Sequence, residues 1–211
     1  MKILVWLSLM LVTAPLVATG QTTGCWDLGE YSSATMAYSG SDAVSVMVLP
    51  DGTGDSLAAA RLLDGTVVDA TITLVLNDCW GVPIASFPSE DLWLESPDGG
   101  LVSCPGGTIA DANTNAEGIT VWQAPLRAGG QSEAGCVIMI NGMSLLYAAP
   151  LDVRFNSPDL NGDLVVNLID VALFGGDFYG TYQVRSDFSR DGVLSLSDVV
   201  LMALAVGSAC P

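Results

Sequence analysis

Two twelve-residue stretches near the end of the chain place oxygen-bearing side chains at the same five positions. Asp159, Asn161, Asp163, Asn167 and Asp170 stand at positions 1, 3, 5, 9 and 12 of the first. Asp187, Ser189, Asp191, Ser195 and Asp198 stand at those positions 28 residues later. A hard cation asks for this pattern: Ca²⁺ takes about 6–8 oxygen ligands at roughly 2.3–2.6 Å, often from a twelve-residue loop. Position 7 of such a loop contributes its main-chain carbonyl, here that of Val165 or Val193. Each stretch brings three carboxylates that repel one another without a metal, so the ion is expected to stabilise the fold as well as occupy it. Ordinary Asp-Asn-Gly turns are the alternative, but they do not account for one spacing occurring twice.

Composition narrows the field of functions. The 211 residues include 23 acidic and 6 basic side chains and no histidine, for a formal charge of −17. A surface of that sign opposes nucleic-acid binding, which depends on basic groups that neutralise phosphates. Without imidazole there is no Ser-His-Asp triad and no histidine metal site. A site built from oxygen alone remains open. With half its residues hydrophobic, the chain has ample material for packed cores.

Helical periodicity follows both stretches. Leu168, Val171, Ala172 and Gly175 recur at intervals of three or four, as do Leu196, Val199, Val200, Ala203 and Leu204. Gly175-Gly176 and Gly207 are read as helix stops. Val166 and Leu194, both apolar at position 8, are expected to pair the two loops. No amphipathic helix enters the first loop. These two loop–helix units resemble the dockerin domain, over about residues 157–210. The resemblance implies two Ca²⁺ ions and a cohesin-like extracellular protein module as partner. It also marks departures. Position 6 usually needs glycine, and Leu164 there carries a left-handed penalty of about 1–2 kcal/mol, partly relieved by Gly162; the first site is expected to be the weaker. Asp170 and Asp198 close the loops, as is common in dockerins. Positions 10 and 11, polar where dockerins meet cohesin, are Leu168-Ile169 and Leu196-Ser197, and packing of the apolar ones on the preceding domain is the alternative.

The N-terminus reads as an export signal. One lysine precedes an apolar run over residues 3–12, too short for a bilayer span, and Ala18-Thr19-Gly20 suits cleavage before Gln21. The longest later apolar run covers only residues 199–206, so no membrane span is expected after cleavage. A secreted or cell-surface bacterial protein follows. Cys25, Cys79, Cys104, Cys136 and Cys210 are widely spaced with no C-x-x-C pair, the usage of disulfides in an oxidising compartment. A bridge within the Cys79, Cys104, Cys136 group is favoured, buried free thiols being the alternative.

Residues 21–154 read as short β-rich runs between Gly, Pro, Asp and Asn clusters. Strands are expected at 44–49, 67–76, 92–96, 119–123 and 136–140, with residues 145–148 pairing back across Asn141-Gly142. Only residues 57–63 look helical, a short run for which a loop crossing one edge is the equal alternative. Asp69-Ala70-Thr71-Ile72-Thr73-Leu74, leading into Gly81-Val82-Pro83, and the later Asn115-Ala116-Glu117-Gly118-Ile119-Thr120 resemble bacterial Ig-like domains. The fold is thus expected to be mainly β: a signal peptide over 1–20, an Ig-like antiparallel β-sandwich over 21–154, and a small α-helical two-loop dockerin-like domain over 155–211.

Dockerins often accompany glycoside hydrolases, which need two carboxylates across a cleft, about 5–10 Å apart. Outside the loops the carboxylate cluster is Glu90-Asp91 with Glu95, beside Trp93. No nucleophile–base constellation emerges, so a non-catalytic adhesion or assembly module is expected. The alternative is a small carbohydrate-binding or polysaccharide-degrading protein with Trp80, Trp93 and Trp122 as a sugar platform.

Overall fold

A computed structural model describes residues 31–145 and 150–211. The expected signal peptide, Cys25 and most of the pairing run at 145–148 lie outside the described residues. Among the described residues twelve strands precede two helices: β1 Ser33–Met36, β2 Val44–Met47, β3 Ala60–Arg61, β4 Val67–Val68, β5 Ile72–Val75, β6 Leu92–Glu95, β7 Leu101–Ser103, β8 Ile119–Trp122, β9 Ala128–Gly130, β10 Val137–Ile140, β11 Met143–Ser144 and β12 Val153–Asn156. The helices are α1 Leu168–Phe178 and α2 Leu196–Ala205. The chain is mainly β, in several small sheets: β1–β5–β8, β11–β10–β6, β12–β2–β3–β4 and the ribbon β7–β9.

Alternation along the strands builds the larger core. Ile72 and Leu74 of β5, Leu92 and Leu94 of β6, Ile138 and Ile140 of β10, and Trp122 of β8 turn inward with Val44, Val46 and Phe155. On β5, β6, β8 and β10 the alternate residues are half-buried or exposed, apart from Thr120 which shares the inner face with Trp122, whereas Ser45 of β2 and Asn156 of β12 are buried beside their apolar neighbours. Among the described residues the isolated bridge of Leu49 to Arg127 is parallel, and strand pairing is antiparallel except where β12 lies parallel to β2, Val153 opposite Val44 and Phe155 opposite Val46. That parallel pair departs from the all-antiparallel expectation, and the long stretch of chain between its strands supplies the crossover it needs.

Several expectations are corrected by tertiary contacts. The run at 67–76 is split, because Asp69 turns the chain by accepting from Thr71 N at 2.9 Å, and Ala70 N bonds the Leu57 carbonyl instead of a strand partner. Residues 57–63 are a 3₁₀ turn, Leu57–Ala59, followed by β3, since Leu57 N is taken by the Gln123 carbonyl and Arg61 pairs with Ser45 and Val67. The return across Asn141-Gly142 begins earlier than expected, with Met143 opposite Ile140 and Leu145 N bonding Ile138 O at 2.8 Å. No bridge joins two of Cys79, Cys104 and Cys136. Cys104 is bonded to Cys210, Cys79 is also disulfide-bonded, and Cys136 is a buried free thiol pushed up to about 12 by burial.

Helix α1 runs through Gly175-Gly176 instead of ending there. Each glycine costs about 1 kcal/mol relative to alanine, but the last turn is held from outside. Phe174 meets Phe178 at 5.8 Å and stacks on Phe188 at 5.6 Å. Asp177 accepts from Arg185 Nε at 2.7 Å, Arg185 Nη2 at 2.8 Å and Ser186 Oγ at 2.6 Å. Helix α2 does stop near Gly207, whose φ of +96° suits a residue without a Cβ. A second apolar cluster gathers Leu160, Val166, Phe174, Phe188, Met202 and Ala205 of the C-terminal part with Leu49 and, at its edge, Met47. Among the described residues no helix is long and apolar enough to cross a membrane.

The Arg185 guanidinium and the Ser186 hydroxyl hold the Asp177 carboxyl below its ordinary range. A depressed carboxyl stabilises the fold above the unfolded value of about 3.9 and loses that contribution as pH falls below it. Asp177→Asn should therefore lower stability by about 1–3 kcal/mol at pH 7. Its deficit against the parent should shrink as pH falls from about 4, as read by urea unfolding.

Candidate metal centre

Each acidic loop is anchored by an apolar residue at position 2: Leu160 and Phe188 are buried in the second cluster. This pins position 1 beside it, so Asp159 and Asp187 are fully buried, as are Asp170 and Asp198 at position 12. The position-5 acids Asp163 and Asp191 are exposed. One carboxylate oxygen from each of Asp159, Asp163 and Asp170 lies within 4.8 Å of the others, and the same holds for Asp187, Asp191 and Asp198. Both triads can hold a metal ion.

The two loops repeat one hydrogen-bond scheme. At position 1, Asp159 accepts from Asp163 N at 3.1 Å and Leu164 N at 2.9 Å; Asp187 accepts from Asp191 N at 3.2 Å and Gly192 N at 2.9 Å. At position 12, Asp170 accepts from Asn161 N and Asn167 N, and Asp198 from Ser189 N and Ser195 N. Positions 9 and 12 also begin the helices. Asn167 and Ser195 are N-caps that accept from Ile169 N at 2.8 Å and Ser197 N at 3.1 Å, and Asp170 and Asp198 return the bond at N3. This is a capping box with aspartate at N3, so each helix starts with the same carboxylate that closes a loop.

The backbone takes the left-handed region at positions 4 and 6 of both loops: Gly162 at φ +70° and Leu164 at +67°, then Arg190 at +56° and Gly192 at +82°. The strain expected at Leu164 is present. Arg190 adds a second instance in the other loop, which sequence reasoning missed. Its guanidinium is pinned by Glu133, 3.1 Å away on the sheet side. The expected pairing of Val166 with Leu194 is replaced by a short ladder to the chain after α2. Val165 bridges Ala209, Val166 N bonds Ser208 O at 2.9 Å, and Gly207 N bonds Val166 O at 2.9 Å.

Electrostatics distinguish these triads from ordinary surface acids. None of the six carboxylates has a Lys or Arg partner among the described ion pairs, which involve Asp55, Asp152, Glu133 and Asp177 instead. Burial and the neighbouring Asp170 and Asp163 raise the Asp159 carboxyl above its ordinary value, against the N–H bonds from Leu164 and Asp163. Side-chain oxygens of Asn161, Asn167, Ser189 and Ser195 sit at positions 3 and 9 of the loops. With the carbonyls of Val165 and Val193, the donor set is oxygen throughout, which suits a hard cation and not a soft one. Tyr182 OH donates to Asp187 Oδ2 at 2.7 Å, a neighbour of the second loop with no counterpart in the first among the described residues.

Elsewhere the candidates divide. Trp122 is fully buried and donates from Nε1 to the Thr108 carbonyl at 3.0 Å, so it belongs to the core and not to a sugar platform. Trp93 is half-buried and donates to Glu95 at 2.7 Å, while Trp80 is exposed on a turn. Glu90 and Asp91 sit on the 3₁₀ turn Ser89–Asp91, and Glu95 is at the end of β6; they form no metal-holding group with one another among the described residues. Leu168, Leu196 and Leu204 are 78%, 76% and 78% exposed, and Ile169 is exposed too, so positions 10 and 11 do not pack on the sheets.

No protein-family model matches the chain, and no curated protein matches it. Among solved structures it is similar to the crystal structure of the Lin-41 filamin domain at 15% identity, over 60% of this chain and 94% of that chain, with a TM-score of 0.30. A superposition that loose carries no argument about fold or function.

The two left-handed position-6 residues give a direct test of loop strain. A Cβ at Gly192 meets only the Leu63 carbonyl, at 3.7 Å. Gly192→Ala should therefore cost about 1–2 kcal/mol, the left-handed penalty alone, measured by urea unfolding in EDTA.

Proposed function

We propose that this is a secreted, non-catalytic calcium-binding protein, an adhesion or assembly module in which an Ig-like β-sandwich carries a dockerin-like unit. One observation carries the reading: two triads of convergent carboxylates, four of the six fully buried, have no basic partner among the described residues. Like charges that close disfavour joint ionisation, and a divalent cation is the simplest group that relieves both triads. Calcium fits the all-oxygen donors and twelve-residue spacing best. Disulfide bonding of Cys104, Cys210 and Cys79 supports an oxidising compartment, in keeping with the export signal read at residues 1–20.

The partner reading rests on the outer faces of the helices. The three acids of α1 and α2, Asp170, Asp177 and Asp198, are all buried, and neither helix contains a basic residue. The faces left in water carry Leu168, Ile169, Leu196, Val200 and Leu204. An uncharged apolar face on so acidic a chain suits an extracellular protein module of the cohesin type, met through apolar rather than polar contacts. Polysaccharide binding is the weaker reading, because Trp122 is unavailable.

Calorimetric titration should find two calcium ions per chain. Asp159→Ala and Asp187→Ala should each remove one of them, and EDTA should lower the melting temperature by several degrees. Unchanged calcium binding in both variants would falsify the reading. On the partner side, Leu196→Asp and Leu204→Asp should abolish binding to an immobilised cohesin-type module while leaving calcium stoichiometry at two.

A further inference from the structure

The first acidic loop does not stand free; it is seated on the β7–β9 ribbon. The main-chain carbonyl of Asp159 accepts from Gly130 N at 2.9 Å. Its carboxylate lies against Gly129, where a Cβ would collide with Oδ2 and Cγ. At position 4, a Cβ on Gly162 would meet Val102 Cγ2 at 3.2 Å and Gly130 Cα at 3.8 Å. Val102 and Gly129 are register partners, so both ends of the seat belong to one pair of strands.

The same ribbon runs into the cystine. Cys104 directly follows β7 and is bonded to Cys210, and Ala209 beside it bridges Val165, the position-7 residue. Following the contacts gives a closed ring: β9 to Asp159, along the loop to Val165, across to Ala209 and Cys210, through the disulfide to Cys104, and back along β7 to β9. The second loop is attached differently. Asn156 Nδ2 donates to the Asp187 carbonyl at 2.9 Å, and Arg190 pairs with Glu133.

We propose that the first metal site is built jointly by the loop and the sheet module, with Gly129 as a positioning residue for Asp159 and the Cys104–Cys210 disulfide holding the Val165 carbonyl in register, so that reducing this disulfide releases the first ion and the bound ion protects the disulfide. The inference rests on the calcium reading above. The reducing step is ordinary thiol–disulfide exchange: an added dithiol gives two electrons and two protons, leaving Cys104 and Cys210 as thiols and the reagent as its own disulfide. Protection follows from linkage, because whatever reduction does to ion affinity, the ion does to reduction by the same factor.

The measurement is the extent of reduction of the Cys104–Cys210 bond in a graded series of dithiothreitol poises, with excess calcium or with EDTA. Alkylation and peptide mass mapping separate this bond from that of Cys79. Calcium should shift the midpoint toward more reducing conditions, by a factor of about 5–150 in the exchange constant. The shift should persist in Asp187→Ala and vanish in Asp159→Ala. In calorimetry Gly129→Ala should weaken the first site by about 10–100-fold, as supporting residues around a metal do, and leave the second unchanged. A Cys104→Ser/Cys210→Ser variant, which needs no reductant, should show the same selective weakening. If the parent protein binds two calcium ions but the midpoint is the same with calcium and EDTA, or the shift survives in Asp159→Ala, the inference is overturned and the calcium reading stands. If the parent takes up no calcium, both fall.

Discussion

Three carboxylates with oxygens inside 4.8 Å of one another repel strongly, and the C-terminal third of this chain is organised around that repulsion twice. At about 4 Å two like charges cost on the order of 4 kcal/mol near a protein surface, and here four of the six groups are withdrawn from water. Main-chain N–H groups meet the position-1 and position-12 carboxylates in pairs and fix where they point. They do not remove the charge. The loop shape, the left-handed residues and the capping boxes all serve to hold acids together that would otherwise part, which is intelligible once a cation is part of the fold.

The helices depend on the loops more than on their own sequences. Both begin within the last four positions of a loop, capped by position 9, with the position-12 aspartate shared between the acidic triad and the first helical turn. Position 2 of each loop sends Leu160 or Phe188 into the small core below, where Leu49 at the end of the β2 run also packs. The acidic loops, helices and sheet are therefore one packed system, further joined by the disulfide and by the Arg190–Glu133 pair. What the system leaves outside is an uncharged apolar helix surface.

How much of this was legible in the sequence varies with the reach of the interaction. The oxygen spacing and the left-handed demand at position 6 are local, and the structure shows the triads and the positive φ at Leu164 where they were expected. Strands with clean alternation, such as Ile72–Val75 and Leu92–Glu95, were visible for the same reason. The ribbon of Leu101–Ser103 and Ala128–Gly130 was not, because small residues in short pairs have no hydrophobic period. The disulfide could not be read either: Cys104 and Cys210 are separated by 106 residues, and only the packing of the last segment against the ribbon brings them together. Glycine pairs likewise misread the end of α1, where aromatic stacking and the Asp177 bonds outweigh a weak local preference. Arg190 at φ +56° gave no signal in the sequence, since its anchor Glu133 is distant.

We propose that each acidic triad is the ligand set of one calcium ion. Anomalous diffraction from crystals grown with calcium tests it most directly. Two peaks are expected, one among Asp159, Asp163 and Asp170 and one among Asp187, Asp191 and Asp198, each with about 6–8 oxygens at roughly 2.3–2.6 Å. Well-ordered triads with no peak at either position, at millimolar calcium, would contradict it.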